Sequence, residues 1–101
     1  MNNKKEINFL EDLYLIIKKR AKGKSNKSYT RSLLKEGKIK IAQKVGEEST
    51  ELIVDYLNGT KKRVIEETAD LIYHLLVMLY SKKITINDIK KELKKRKNVR
   101  R

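Results

Sequence analysis

The chain has 101 residues, of which 39% are hydrophobic and 39% are charged, so we expect one domain over residues 1–101 with a single core. It contains no cysteine, which excludes disulfides and thiolate metal sites. No apolar run approaches the roughly 20 residues of a membrane span, and the initial MNNKKEINF lacks the apolar segment of a signal peptide. We therefore expect a soluble cytoplasmic protein without a membrane partner.

The formal net charge is +13, from 26 Lys+Arg against 13 Asp+Glu. Such a balance is typical of proteins that bind nucleic acid, a membrane surface or a phosphate-rich small molecule. A general compositional bias or adaptation to heat also explains it. The charge alone therefore does not identify a partner.

The absence of proline and the presence of only four glycines favour helices over sheet. The spacing of apolar residues predicts five helices. They run over Ile7 to Lys22, from Ser28 or Thr30 to a stop at Gly37, over Lys38 to Leu57, from Thr60 to Tyr80, and from a Thr85–Asp88 capping box to Lys95. The tail from Arg96 onward is expected to fray. This pattern predicts an all-α helical bundle whose two long central helices pack antiparallel.

Apolar faces indicate what each helix buries. The residues expected to face inward are Leu10, Leu13, Tyr14 and Ile17 on the first helix, and Ile41, Val45, Leu52 and Tyr56 on the third. The fourth helix, in LIYHLLVMLY, is apolar nearly all round and needs cover on more than one side. In so short a chain a second copy is the expected cover, so we predict a homodimer.

Acidic residues cluster on the two long helices. At about 100° per residue, Lys44, Glu48, Glu51 and Asp55 form one stripe on the third helix, and Glu67, Asp70 and His74 form one on the fourth. Both stripes border apolar faces, so these carboxylates are expected to enter the core region.

Neighbouring like charges on a helix cost about 0.2–0.5 kcal/mol per pair, and more when they are desolvated. Magnesium would relieve this repulsion at Glu48/Glu51 and Glu67/Asp70, since it favours oxygen ligands and keeps waters that a polyphosphate can replace. An isolated Glu-x-x-Glu is usually a solvated face. His74 is better explained as a hydrogen-bonded core or interface histidine than as a ligand. Glu47 and Glu66 point further toward solvent.

The motifs Ser28-Tyr29-Thr30, KVGEESTE (44–51) and EETADLIYHLLVML (66–79) resemble the phosphoribosyl-ATP pyrophosphohydrolase family. This family belongs to the all-α nucleoside-triphosphate pyrophosphohydrolases (MazG-like), which carry Glu-x-x-Glu followed by Glu-x-x-Asp on the next helix. The resemblance covers Leu10 to Arg96 and implies the stand-alone form of the enzyme.

The resemblance implies Mg²⁺-dependent hydrolysis of phosphoribosyl-ATP to phosphoribosyl-AMP and pyrophosphate, the second step of histidine biosynthesis. It implies that the metal ligands are Glu48, Glu51, Glu67 and Asp70. Either Glu47 or Glu48 would be the general base. The expected substrate-binding residues are Lys44, Ser28, Tyr29, Thr30 and Arg31.

Two other functions compete with this hypothesis. A house-cleaning hydrolase of nucleoside triphosphates would use the same fold and carboxylates. A nucleic-acid-binding helical module would use the net charge, but the basic residues are spread along every helix while the acids are clustered. We therefore expect no specific nucleic-acid partner. A purely structural bundle leaves the paired acids unexplained.

Overall fold

A computed structural model describes residues 8–24 and 27–99, and these residues form five α-helices and no strand. The helices are α1 (Phe9–Lys22), α2 (Tyr29–Glu36), α3 (Lys38–Asn58), α4 (Lys61–Ser81) and α5 (Ile86–Val99). The all-α prediction is confirmed. The predicted start of the first helix at Ile7 lies outside the described residues.

Local capping signals determine where the helices begin. The Ser28 Oγ accepts a hydrogen bond from the Arg31 backbone N–H at 3.2 Å, so Ser28 is the cap of α2. The Thr60 Oγ1 accepts one from the Arg63 N–H at 3.2 Å and caps α4. Gly37 separates α2 from α3 with φ 101°, a left-handed conformation that favours glycine.

The last helix begins with the predicted capping box and ends later than expected. The Thr85 N–H donates to Asp88 Oδ2 at 2.9 Å, and the Asp88 N–H donates to Thr85 Oγ1 at 3.1 Å. The helix continues for a further turn beyond the predicted end at Lys95, so the expected fraying from Arg96 is wrong for the described part of the tail. Arg96 Nε donates to Glu92 Oε2 at 3.0 Å, a pair four residues apart that supports this turn.

Helices α3 and α4 form a long antiparallel hairpin, the largest helix–helix contact of the fold. The two-residue turn at Gly59 and Thr60 reverses the chain. Near this turn Asp55 lies opposite Arg63, and further from it Glu48 lies opposite His74. The acidic stripes of the two helices therefore face each other, as predicted.

The core lies at the end of the hairpin away from the turn, where α1 and α2 cover the second half of α4. Ile17, Leu33 and Val77 are its most deeply buried apolar residues, at 0 to 1% exposure. Leu71 to Tyr80 is at least partly buried throughout, as the all-round apolar character of that segment requires.

The other end of the hairpin is not covered by any helix of the described residues. Tyr56, near the hairpin turn, is 76% exposed, and Leu10, on α1, is 40% exposed. The prediction that these two residues face inward is therefore wrong. The radius of gyration is 15.4 Å, against about 13 Å for a compact domain of 100 residues. The exposed apolar residues near the turn are Ile53, Val54, Tyr56, Leu57 and Ile65.

Among residues 8–24 and 27–99, no helix has the length and apolar character that crossing a membrane demands.

Candidate active site

Three carboxylates from the two hairpin helices meet at one point. Glu48 of α3 and Glu67 and Asp70 of α4 each offer one oxygen, and these three oxygens lie within 4.8 Å of one another. Glu67 and Asp70 project side by side because they are three residues apart on a helix. Opposite ligands of octahedral magnesium are about 4.2 Å apart, so the cluster has the right size for such an ion.

Glu67 is the buried member of the cluster, at 3% exposure. Among the described residues, no hydrogen-bond donor reaches its Oε1. Burial raises the pKa of Glu67 above its ordinary value, and the neighbouring carboxyl of Glu51 raises it further as a hydrogen-bonding partner and as a like charge. Oε1 thus lacks a hydrogen-bond partner within the described chain, and a cation would supply one.

The second oxygen of Glu67 is held by Arg63. Arg63 Nη2 donates to Glu67 Oε2 at 2.5 Å, and Nη1 donates to Glu66 Oε1 at 2.8 Å. Its Nε lies 3.7 Å from Asp55 Oδ2. The guanidinium lowers the pKa of Glu67, against the effects of burial and of Glu51. Arg63 thus compensates part of the acidic charge through Oε2 and does not bond Oε1.

His74 joins the cluster to α2. Its ring is 8% exposed, and its Nδ1 lies 2.9 Å from the backbone oxygen of Asp70 and 3.4 Å from Glu48 Oε1. On the other side, Nε2 lies 2.9 Å from the Tyr29 hydroxyl. Both ring nitrogens therefore have hydrogen-bond partners, which is the hydrogen-bonded alternative expected from the sequence.

The three predicted substrate-binding residues at the start of α2 have different environments in the structure. Ser28 uses its hydroxyl oxygen as the helix cap. Thr30 is 1% exposed and shares a hydrogen bond with the Tyr73 hydroxyl. Tyr29 is 49% exposed, so of these three side chains it is the one with the largest surface open to a ligand.

Glu47 and Lys44 lie on the outer side of the cluster. The Glu47 side chain is 61% exposed, and its Oε1 is 3.8 Å from Lys44 Nζ. Glu47 and Glu51 line one open depression of about 640 Å³. Arg31 is partly buried near the beginning of α2. Of the predicted site carboxylates, this depression is lined by Glu47 and Glu51, and not by Glu48, Glu67 or Asp70.

A buried carboxylate oxygen without a donor and two further carboxylates within reach fit a hard divalent cation. Fold and site thus define the class: an all-α bundle with a cluster of three carboxylates between two antiparallel helices. Within that class, the chain matches the family described as phosphoribosyl-ATP pyrophosphohydrolase over residues 10–97. The chain belongs to this family.

Individual relatives agree with the family match. Proteins named phosphoribosyl-ATP pyrophosphatase from Sulfolobus acidocaldarius and Metallosphaera sedula are 48% and 47% identical to this chain. These two alignments cover 88% and 86% of the chain and 94% of each relative. A protein named histidine biosynthesis bifunctional protein HisIE from Bacteroides thetaiotaomicron is 47% identical over 93% of the chain, which corresponds to 46% of that relative.

Two residues of the site, Arg63 and Tyr73, were not predicted from the sequence. Arg63 precedes Glu66 and Glu67 by three and four positions, a spacing that indicates ion pairs on one helix and could have revealed it. Tyr73 precedes His74 in a segment interpreted as purely apolar, and no local signal indicates that its hydroxyl meets Thr30 from another helix.

Proposed function

We propose that the protein is a Mg²⁺-dependent enzyme that hydrolyses phosphoribosyl-ATP to phosphoribosyl-AMP and pyrophosphate in histidine biosynthesis, in the cytoplasm. The reaction and its substrate follow from the family. The proposed metal requirement is supported by one observation: Glu67, a member of the acidic cluster, has an oxygen, Oε1, that no described hydrogen-bond donor reaches. Glu48, Glu67 and Asp70 would hold the ion, and Glu51 would be a fourth ligand because its carboxyl lies beside that of Glu67.

A bound magnesium ion would neutralise phosphate charge and make water more acidic. The chain supplies the remaining groups. In the overall reaction a water molecule adds to a phosphorus of the α–β anhydride, the bridging P–O bond breaks, and a base takes the proton of the water. Glu47 is the proposed base because it is exposed at the open depression, whereas Glu48 belongs to the cluster. Lys44, next to Glu47, is placed to contact the phosphates.

The protein is further proposed to act as a homodimer. The apolar side chains of Ile53, Val54 and Leu57 are more than half exposed near the hairpin turn. Burying a side chain of this kind is worth about 1.5–3 kcal/mol. A second copy that packs its own hairpin turn against these residues would cover them.

The test replaces Glu67, the buried ligand, with glutamine. Wild-type protein should release pyrophosphate from phosphoribosyl-ATP only with Mg²⁺, and saturation of the site at 100 times Kd should stabilise it by about 2.7 kcal/mol. Glu67→Gln should lose both effects while its circular dichroism spectrum remains helical. Sedimentation of the same wild-type sample should give twice the mass of the 11.9 kDa chain.

Glu92→Gln is the matched control, because it makes the same chemical change at a half-exposed pair with Arg96 on α5. It should keep both activity and stabilisation by Mg²⁺. Normal turnover in Glu67→Gln, or equal losses in the two variants, would refute the metal assignment.

A further inference from the structure

A cavity with no role in the proposed reaction lies where the C-terminal ends of α1 and α4 meet the loop before α5. Its volume is about 650 Å³, within the range of about 300–1,000 Å³ that is typical of sites for small molecules. On α4, Tyr80 lines the cavity and follows Asp70 of the acidic cluster by ten residues, which corresponds to about 15 Å along the helix. The cavity is therefore separate from the acidic cluster and large enough for a small-molecule ligand.

Three lysines give this cavity a positive charge. Lys18 and Lys22 of α1 and Lys83 of the loop line it, and no acidic residue is among its described lining residues. Within residues 8–24 and 27–99, no hydrogen bond or ion pair engages the ammonium groups of these lysines. Asp88, three residues beyond the lining residue Thr85, accepts a hydrogen bond from the Thr85 N–H with its Oδ2. Positive charges around a concave surface attract anions, so the cavity favours a negatively charged ligand.

Aromatic and apolar side chains that pack against the core form another part of the cavity wall. Tyr14 is 8% exposed, and its hydroxyl donates a hydrogen bond to the backbone oxygen of Ile84 at 2.7 Å. The ring of Tyr80 meets that of Tyr14 edge-on, with the ring centres 6.0 Å apart. Leu34 packs against the same core and also lines the cavity. The cavity thus combines aromatic and apolar surface with positive charge, as a ligand with an apolar part and an anionic part requires.

The backbone conformation at Lys83 is unfavourable for lysine. Its φ is 62°, in the left-handed region that favours glycine. The end of α4 requires this conformation, because the Lys83 N–H donates to the Tyr80 oxygen at 2.9 Å and the Ile84 N–H donates to the Leu79 oxygen at 2.8 Å. A positive charge near the carbonyl end of a helix is favourable, but the strain of a left-handed lysine is the larger effect. A role of the ammonium group in binding would account for a lysine at this position.

We propose that this cavity binds a small organic phosphate, whose phosphate groups contact Lys18, Lys22 and Lys83 and whose aromatic or apolar part packs beside Tyr80 and Leu34. Because the lysines supply the positive charge, this binding needs no divalent cation, in contrast to the binding of phosphates proposed for the acidic cluster. The site is additional to the proposed reaction and does not depend on it.

The test is calorimetric titration of the full chain with ADP, pyrophosphate and adenosine in excess EDTA, which removes divalent cations. ADP carries both phosphates and an aromatic base, so it should bind about tenfold or more tightly than pyrophosphate or adenosine alone. Lys18→Gln and Lys83→Gly should each weaken ADP binding about two- to fivefold, the range for an exposed ion pair. Lys19→Gln is the matched control, because it removes the same charge from the same helix at a residue that does not line the cavity. It should change the affinity for ADP by less than about twofold, since exposed charges away from the ligand are screened.

Urea unfolding of Lys83→Gly without ligand is the second measurement. This variant should unfold at a higher urea concentration than wild type, because glycine adopts the left-handed conformation without strain. Weaker ADP binding by a more stable protein would not be explained by loss of folding. Absence of ADP binding in EDTA, equal affinities for ADP and pyrophosphate, or equal effects of Lys18→Gln and Lys19→Gln would overturn the proposal. A lower urea midpoint for Lys83→Gly would overturn the role inferred from its backbone conformation.

Discussion

Replacing Thr30 with valine tests whether this residue holds the fold or the substrate. Valine has nearly the same shape, so the change removes the hydroxyl and little else. Thr30 is 1% exposed, and its hydroxyl shares a hydrogen bond with that of Tyr73. The partly buried Tyr73 hydroxyl would then lose its partner, which costs about 1–3 kcal/mol. At about 4–8 °C per kcal/mol for a domain of this size, Tm should fall by at least about 4 °C.

A double-mutant cycle separates this loss from other effects. Tyr73→Phe alone leaves Thr30 without its partner and should also destabilise the fold. The double variant removes both polar groups, so its loss should be smaller than the sum of the two single losses by about 0.5–3 kcal/mol. Urea unfolding, followed by circular dichroism, measures all four proteins. Thr50→Val is the control, because the exposed Thr50 hydroxyl bonds only to its own helix at Gly46, and it should change stability by less than about 0.5 kcal/mol.

The same proteins are then assayed for pyrophosphate release from phosphoribosyl-ATP. Thr30→Val should keep KM within about threefold of wild type at temperatures where it is folded, since a buried hydroxyl makes no contact with substrate worth even one neutral hydrogen bond. An increase in KM of about tenfold or more with unchanged unfolding free energy would refute a structural role and return Thr30 to the substrate site.

Two further predictions concern backbone geometry and pH. Gly46→Ala should raise the unfolding free energy by about 1 kcal/mol, because Gly46 is inside α3 and an added Cβ meets nothing within 4 Å. Gly59→Ala should lower it, because that Cβ would lie 2.9 Å from the Cα and the backbone oxygen of Asp55. Urea midpoints that move in the opposite directions would contradict this. Hydrogen bonds from Thr85 lower the pKa of Asp88, so its contribution to stability is present above its ordinary pKa of 3.8 and is lost as pH falls through the lower folded value. The stability difference between wild type and Asp88→Asn should therefore shrink toward low pH, and a difference independent of pH would show that the charge of Asp88 has no role.

Features that depend on a few adjacent residues were predictable from the sequence. The capping box at Thr85 and Asp88 places its donor and acceptor groups three residues apart, so the start of α5 follows from local chemistry alone. At α2 the sequence offered both Ser28 and Thr30 as caps. The choice between them depends on tertiary contacts, because Thr30 lies in the interior, where its hydroxyl shares a hydrogen bond with that of Tyr73.

Features that depend on what covers a surface were not predictable in this way. Helical periodicity places Tyr56 on the same face as Ile41, and the sequence analysis assigned both to the interior. Ile41 is 2% exposed because α2 and α4 pack against the beginning of α3, while Tyr56 lies beyond the end of that core at 76% exposure. Periodicity identifies a face of a helix, but it does not state how far along that face the chain supplies neighbours.

The acidic cluster shows why net charge was a poor guide to the site. The chain carries 26 Lys+Arg residues, yet of these Arg63 supplies the guanidinium that bonds Glu67 directly. At physiological ionic strength charges more than about 8 Å apart at the surface are largely screened. The excess lysines therefore do not stabilise Glu67 Oε1, whose surroundings are set by groups in contact with it. A highly basic protein can thus keep a cluster of carboxylates whose electrostatics are set by the groups in contact with it and not by the net charge.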